Sequence, residues 1–205
     1  LNFQNSNYQI LENRKSIVGE WNSVISNRMS NNMIVGYDYS DESRASRGEI
    51  FHAAAYEILA RNPRVIAIGE CGLDYYRVDE STKAMQIETF VQQIDLANRV
   101  KKPLMLHIRN AYEDALEVLR AHANVAGDVH FFAGDWETAK KFLDLGFTLS
   151  FTGVITFTHD YDEVVKNAPL DMILTETDAP YVTPAPHRGK RNEPAYVELV
   201  DRKSV

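Results

Sequence analysis

Cysteine is almost missing from this 205-residue chain: Cys71 stands alone, which excludes an internal disulfide and fits a reducing compartment. No run is apolar enough to span a bilayer, and no signal-peptide pattern opens the sequence. A cytoplasmic location is therefore expected, without membrane association. Positive charge is also short. Lys and Arg number 22 against 29 Asp and Glu, and the net charge of −7 argues against a surface coated in a basic nucleic-acid footprint. It leaves room for phosphate held by a few local cations, such as Arg188, Lys190 and Arg191. For these three a solvated loop is the plain alternative. The apolar share of 44% and charged share of 25% are those of an ordinary globule, and the length allows one sizeable domain.

What is present centres on Val65-Ile-Ala-Ile-Gly-Glu-Cys-Gly-Leu-Asp-Tyr-Tyr-Arg77. The apolar, β-branched run Val65 to Ile68 predicts a buried strand, with Glu70 at its end and a loop from Gly72. A carboxylate at the C-terminal end of a parallel strand is where α/β proteins place chemistry. An unpaired charge there is costly, so either a metal ion or a partner such as Arg77 is required. The event repeats downstream. Leu104-Met-Leu-His107 and Val129-His130-Phe-Phe132 are short apolar runs carrying histidines, and Met172-Ile-Leu-Thr-Glu-Thr-Asp178 ends in carboxylates. With helical patterns between them, a parallel barrel brings Glu70, His107, His130 and Asp178 to one face. Two histidines and two carboxylates suit zinc or manganese well, and magnesium less obviously. Cys71, next to Glu70, is expected to point the other way as an inert buried thiol.

These stretches carry a family resemblance. Glu70-Cys-Gly-Leu-Asp-Tyr-Tyr-Arg77, His107-Ile-Arg109, His130-Phe-Phe-Ala-Gly134, Thr175-Glu-Thr-Asp-Ala-Pro-Tyr181 and Pro184-Ala-Pro-His-Arg-Gly-Lys-Arg-Asn-Glu-Pro194 resemble successive motifs of the TatD-like metal-dependent deoxyribonucleases. The match runs from about Pro63 to about Val200. It implies an α/β fold, a TIM-type (β/α) barrel of the metal-dependent hydrolase superfamily. It also implies two divalent ions per site (Mg, Mn or Zn), a DNA substrate, single-stranded in this reading, and hydrolysis of phosphodiester bonds. By the same resemblance Glu70 bridges the two ions, His107 and His130 complete the second, and Asp178 belongs to the first. Glu70 and Asp178 are the catalytic residues, with Asp178 taking the proton of water. Arg109, on the same side of its strand as His107, is a candidate for a phosphate oxygen, as is Arg188. Tyr76, with Tyr75 and Phe131, is a candidate for base stacking, against core packing as the alternative.

The family's His-x-His pair on the first barrel strand has no counterpart among the six histidines. The expectation is therefore a barrel incomplete or irregular at the N-terminus, holding one ion tightly and a second weakly. The start at Leu1 and end at Val205 read as a chain cut from a longer one, or as a member altered at its N-terminus. The whole chain is taken as one domain, with 1–33 atypical and 63–200 matching the family. In the atypical part, Ile17, Val18, Trp21, Val24, Ile25 and Met29 predict a helix capped by Ser16. Met33 to Gly36 predicts a strand, and Tyr8 to Leu11 a weak one. Phe51 to Leu59 predicts a helix, capped by Ser46 and carrying His52 as a surface or packing residue. Further on, helices are expected from Ser81 to Val100, from Ala111 to Ala121, after an Asp135 cap, and from Asp160 to Lys166. A last helix begins at Glu193-Pro194. Strands are expected near residues 33, 65, 104, 129, 147 and 172. Three functions fit: a metal-dependent DNase, a hydrolase of esters or amides on the same site, and a non-catalytic remnant with an incomplete site. Oligomeric state is open.

Overall fold

The computed structural model describes residues 14–26, 29–40 and 56–204. The chain divides into two compact units, Leu1–Ile66 and Ala67–Val205.

In the first unit, β1 (Arg14–Ser26) pairs antiparallel with β2 (Met29–Ser40), with Ile17 opposite Tyr37 and Trp21 opposite Met33. This corrects the helix expected over Ile17 to Met29. The spacing of its apolar residues suits a helix, but Ile17-Val18 and Val24-Ile25 are β-branched and favour a ladder when one is offered. The strand expected at Met33 to Gly36 lies within β2, in this hairpin and not in a parallel sheet. Residues 56–60 are helical. The rest of the helix expected from Phe51, with Ser46 and His52, lies outside the described residues, as does the strand at Tyr8 to Leu11.

The second unit is a five-stranded parallel sheet whose strands follow in chain order. They are β3 (Ile68–Asp74), β4 (Leu104–Arg109), β5 (Gly127–His130), β6 (Thr148–Phe151) and β7 (Ile173–Thr175). Helices α1 (Lys83–Val100), α2 (Tyr112–His122), α3 (Trp136–Asp144) and α4 (Asp162–Asn167) occupy the crossovers, and α5 (Val197–Ser204) follows the last strand. Strand β3 begins at Ile68, whose N–H donates to Pro103 O, and not at Val65. Val65 is used instead to close a turn onto Asn62 O. Glu70 thus stands within its strand, two residues in. Ser81 does not cap α1. Asp79 accepts from the Ser81 N–H at the head of a 3-10 turn (Glu80–Thr82) that leads into the helix. At α3 the Asp135 carboxylate accepts from the Thr138 N–H, as its N-cap position requires.

Alternation along the strands divides them into two faces. Cys71 and Leu73 on β3, Leu104, Leu106 and Ile108 on β4, and Val129 on β5 are buried in the core. Phe90 and Ile94 of α1, Leu116 and Leu119 of α2 and Phe142 of α3 belong to the same core. Phe132 meets Phe142 and Phe151 edge-on, with centroids 6.4 Å apart, and each such ring contributes about 2 kcal/mol by burial. The intervening positions Glu70, Asp74, His107, Arg109 and His130 fall on the other face. Two glycines let β4 be approached closely from both sides. A Cβ at Gly72, where φ is +144°, would stand 2.1 Å from His107 O, and one at Gly127 would stand 1.8 Å from Leu104 O. Gly72 therefore sets how near β3 lies to the His107 strand. Among the described residues no helix is long and apolar enough to cross a membrane.

Candidate metal centre

His107 and His130 are register partners on adjacent parallel strands, so their side chains leave the sheet side by side. Each imidazole stands between two carboxylates. His107 Nε2 is 3.1 Å from Asp74 Oδ2, and its Nδ1 is 3.9 Å from Glu70 Oε2. His130 Nδ1 is 2.5 Å from Glu176 Oε2, and its Nε2 is 3.2 Å from Asp178 Oδ1. The four residues named from sequence thus come together as two pairs, Glu70 with His107 and Asp178 with His130. Among the described residues, no three His, Cys, Asp or Glu side chains are drawn around a single point. The pairs are linked electrically, because the Glu70 charge is felt at His130.

The electrostatics of His130 follow from this crowding. Burial opposes its charge, but hydrogen bonds to Asp178 and Glu176 and the fields of Glu176 and Glu70 raise its pKa to about 10. Asp128, on the same strand, is pushed up by burial despite hydrogen bonds from Ser150 and Thr148. A site that holds a proton so firmly on an imidazole favours positive charge. The donor set also suits a divalent ion. Oxygen and imidazole nitrogen are its common ligands, and two ligands on one tetrahedral ion lie roughly 3.0–3.5 Å apart. His130 and Asp178 stand at 3.2 Å, while His107 and Glu70 stand wider, at 3.9 Å.

Sequence reasoning missed two members of this cluster. Glu176 accepts from the Ser150 hydroxyl at 2.6 Å and from the Phe131 N–H at 2.7 Å, besides meeting His130. Asp74 accepts from the Tyr76 N–H through Oδ1, while its backbone N–H and C=O both bond the Gln86 amide at the start of α1. A signal existed for Glu176, since its spacing of two from Asp178 places both on one side of an extended chain. For Asp74, four residues after Glu70, no pattern in the sequence points to His107.

The remaining candidates lie as follows. Arg109 ends β4 with its guanidinium 3.6 Å from the centroid of Tyr76, a half-exposed ring that Arg77 also approaches, at 4.9 Å. Arg77 thus lies on Tyr76, and the nearer partner of Glu70 is His107. Arg188 stacks 3.6 Å from the Phe157 ring and donates to Thr183 O at 2.8 Å. Tyr75 is partly buried, with its hydroxyl bonded to Asp114 at 2.8 Å. Burial and that carboxylate push its phenol up to about 12. Phe131 lies edge-on to His130, with centroids 6.3 Å apart.

A parallel sheet with helical crossovers and polar residues on its strand ends is the architecture of the TIM-type hydrolases. Comparison with known proteins narrows this to one family. The sequence model described as TatD-related DNase matches residues 35–203. The chain is 45% identical over 146 residues to the "Uncharacterized metal-dependent hydrolase YcfH" of Escherichia coli K12, covering 69% of this chain and 55% of that protein. It is 35% identical over 160 residues to the "Putative deoxyribonuclease TATDN1 homolog" of Enterocytozoon bieneusi, covering 73% and 57%. The crystal structure of YJJV, a TatD homolog from Escherichia coli K12, superposes with a TM-score of 0.71 at 28% identity, covering 78% of this chain and 62% of that one. This chain belongs to the TatD-related DNase family. It spans about half the length of the curated relatives it matches.

Proposed function

We propose that this chain is a divalent-metal-dependent hydrolase and that its substrate bond is the phosphodiester of DNA, single-stranded in preference. The observation that carries the reading is the pair of imidazole–carboxylate contacts, His107 with Glu70 and His130 with Asp178, built on the adjacent strands β4 and β5. Family membership and the names of relatives, metal-dependent hydrolase and putative deoxyribonuclease, support it. Glu70, His107, His130 and Asp178 would hold the ions, Mg, Mn or Zn, with Glu70 shared. A bound divalent ion supplies polarisation of a phosphoryl oxygen and a lowered pKa for water. Asp178 accepts the proton of the attacking water. Arg109, steadied by Tyr76, offers its N–H edge to a phosphate oxygen, and Arg188 extends that contact from the 183–191 loop. Because the chain has no His-x-His, one ion is held tightly and a second weakly.

The test is calorimetry with manganese or zinc, run beside hydrolysis of single-stranded DNA and of an aminoacyl ester. One tight ion with low, metal-dependent cleavage of DNA is expected. Asp178→Asn should lower the rate and leave the tight ion in place. Preference for the ester would make the chain a hydrolase of another bond. Absence of tight metal would make it a non-catalytic member of its family.

A further inference from the structure

Both histidines share one asymmetry. In each, the carboxylate named as a ligand is the more distant contact, and the closer one is a carboxylate fixed by other bonds. Glu176 lies nearer to His130 than Asp178 does, at 2.5 against 3.2 Å, and Asp74 lies nearer to His107 than Glu70 does, at 3.1 against 3.9 Å. The closer pair is also the better anchored. Glu176 takes hydrogen bonds from Ser150 on β6 and from the backbone after β5, so it is tied to two strands besides its own end of the sheet. Asp74 accepts from the Tyr76 N–H, and Gln86 of α1 bonds its backbone from both sides.

We infer that Glu176 and Asp74 are positioning residues, each gripping one nitrogen of a histidine so that the other is turned toward Asp178 or Glu70. The inference rests on the reading of Glu70, His107, His130 and Asp178 as metal-holding residues, and adds what aims them. An imidazole offers two nitrogens, and which one binds an ion is set by the hydrogen bond the other makes. With Glu176 on Nδ1, His130 presents Nε2. With Asp74 on Nε2, His107 presents Nδ1. The two histidines therefore use opposite nitrogens, which is the consequence most open to measurement.

The experiment is imidazole 15N NMR on the full chain, metal-free and with zinc, joined to zinc calorimetry. In the metal-free protein the His130 Nδ1 proton should be hydrogen-bonded and slow to exchange. It should persist in Asp178→Ala and be lost in Glu176→Ala. With zinc, His130 should bind through Nε2 and His107 through Nδ1. Zinc affinity should fall about 10–100-fold in Glu176→Ala and in Asp74→Ala, the usual loss when a partner behind a metal-ligating histidine is removed. Glu176→Gln and Asp74→Asn, which keep an acceptor oxygen, should recover part of it. These conservative variants carry the test if the alanine variants do not fold. Ser150→Ala, which removes one of the two bonds that anchor Glu176 and spares the His130 contact, should lower zinc affinity by less than Glu176→Ala does. Survival of the Nδ1 proton in Glu176→Ala would overturn the inference, as would native affinity in that variant or an equal loss in Ser150→Ala. If the native chain binds no zinc while the proton pattern holds, the positioning stands and the hydrolase reading falls.

Discussion

The two corners of the candidate centre are built alike and exposed differently. At the first, His107, Glu70 and Asp74 keep 42%, 42% and 37% of their side-chain surface. At the second, His130, Glu176 and Asp178 keep 11%, 23% and 31%. The same arrangement of one imidazole between two carboxylates therefore operates in two different media. Near water the Coulomb attraction is screened, and the contacts at His107 cost and contribute little in the metal-free protein. Away from water the contacts at His130 matter to the fold itself, and they hold a proton there up to pH about 10. The difference divides the labour. On the proposed reading, the enclosed corner backs the site, and the open corner, flanked by Arg109 on Tyr76, is the side from which substrate would enter.

Stability should separate the two corners most. His130→Ala should destabilise the metal-free protein by about 2–3 kcal/mol, since it removes hydrogen bonds between charged groups and strands two carboxylates in a half-buried place. His107→Ala should change stability by less than about 0.5 kcal/mol, as exposed substitutions do. Both variants should lose tight binding of manganese or zinc. Denaturant melts in the presence of a chelator measure the first pair of values, and calorimetry the second. Equal destabilisation by the two would show that the corners are not distinct.

A smaller effect sharpens the assignment of the open corner to substrate. Arg109→Ala should weaken cleavage of single-stranded DNA about 10–100-fold, the range expected when a charged hydrogen bond to phosphate is lost. Metal affinity should stay native, because the guanidinium lies on Tyr76 and not on a histidine. Arg109→Lys should recover only part of the rate, since an ammonium lacks the planar face that stacks on Tyr76. A change in metal affinity as large as the change in rate would move Arg109 out of the substrate role.

Much of the second corner's logic was readable in the chain, and the reasons for the gaps are physical. His107 and His130 sit on short apolar runs that only a strand explains, so their alignment could be read directly. Asp135 was readable as a cap because its own side chain makes the bond. The histidine partners of Glu176 and Asp74 were not, because a carboxylate's partner is chosen by strand register, which one sequence does not display. The spacing of Ile17, Val18, Trp21, Val24 and Ile25 predicts a helix where β1 stands, and pairing with β2 decided the outcome, whereas Met33 to Gly36 reads as the strand that it is within β2. Strand β3 was placed early because Val65 to Ala67 are apolar, yet Asn62 and Pro103 fix where the ladder begins.

The smallest effect tests how far the openness of the first corner reaches. Cys71 directly follows Glu70, yet its side chain faces the core and keeps only 4% exposure. Burial, with the Glu70 charge, pushes its thiol up to about 12. In the unfolded chain the thiol ionises near pH 9, so it favours the folded state fully below that pH, and this contribution is lost as pH rises from 9 toward 12. At pH 8 the native thiol is protonated and shielded, and iodoacetamide should modify it only as fast as the protein opens. The rate should match that of global unfolding, and should rise in His130→Ala in proportion to the lost stability. It should not rise in His107→Ala. Fast alkylation of the native protein would mean that the looseness at Glu70 extends through β3 into the core, and that the open corner is a mobile edge and not a solvent-facing rim on a fixed strand.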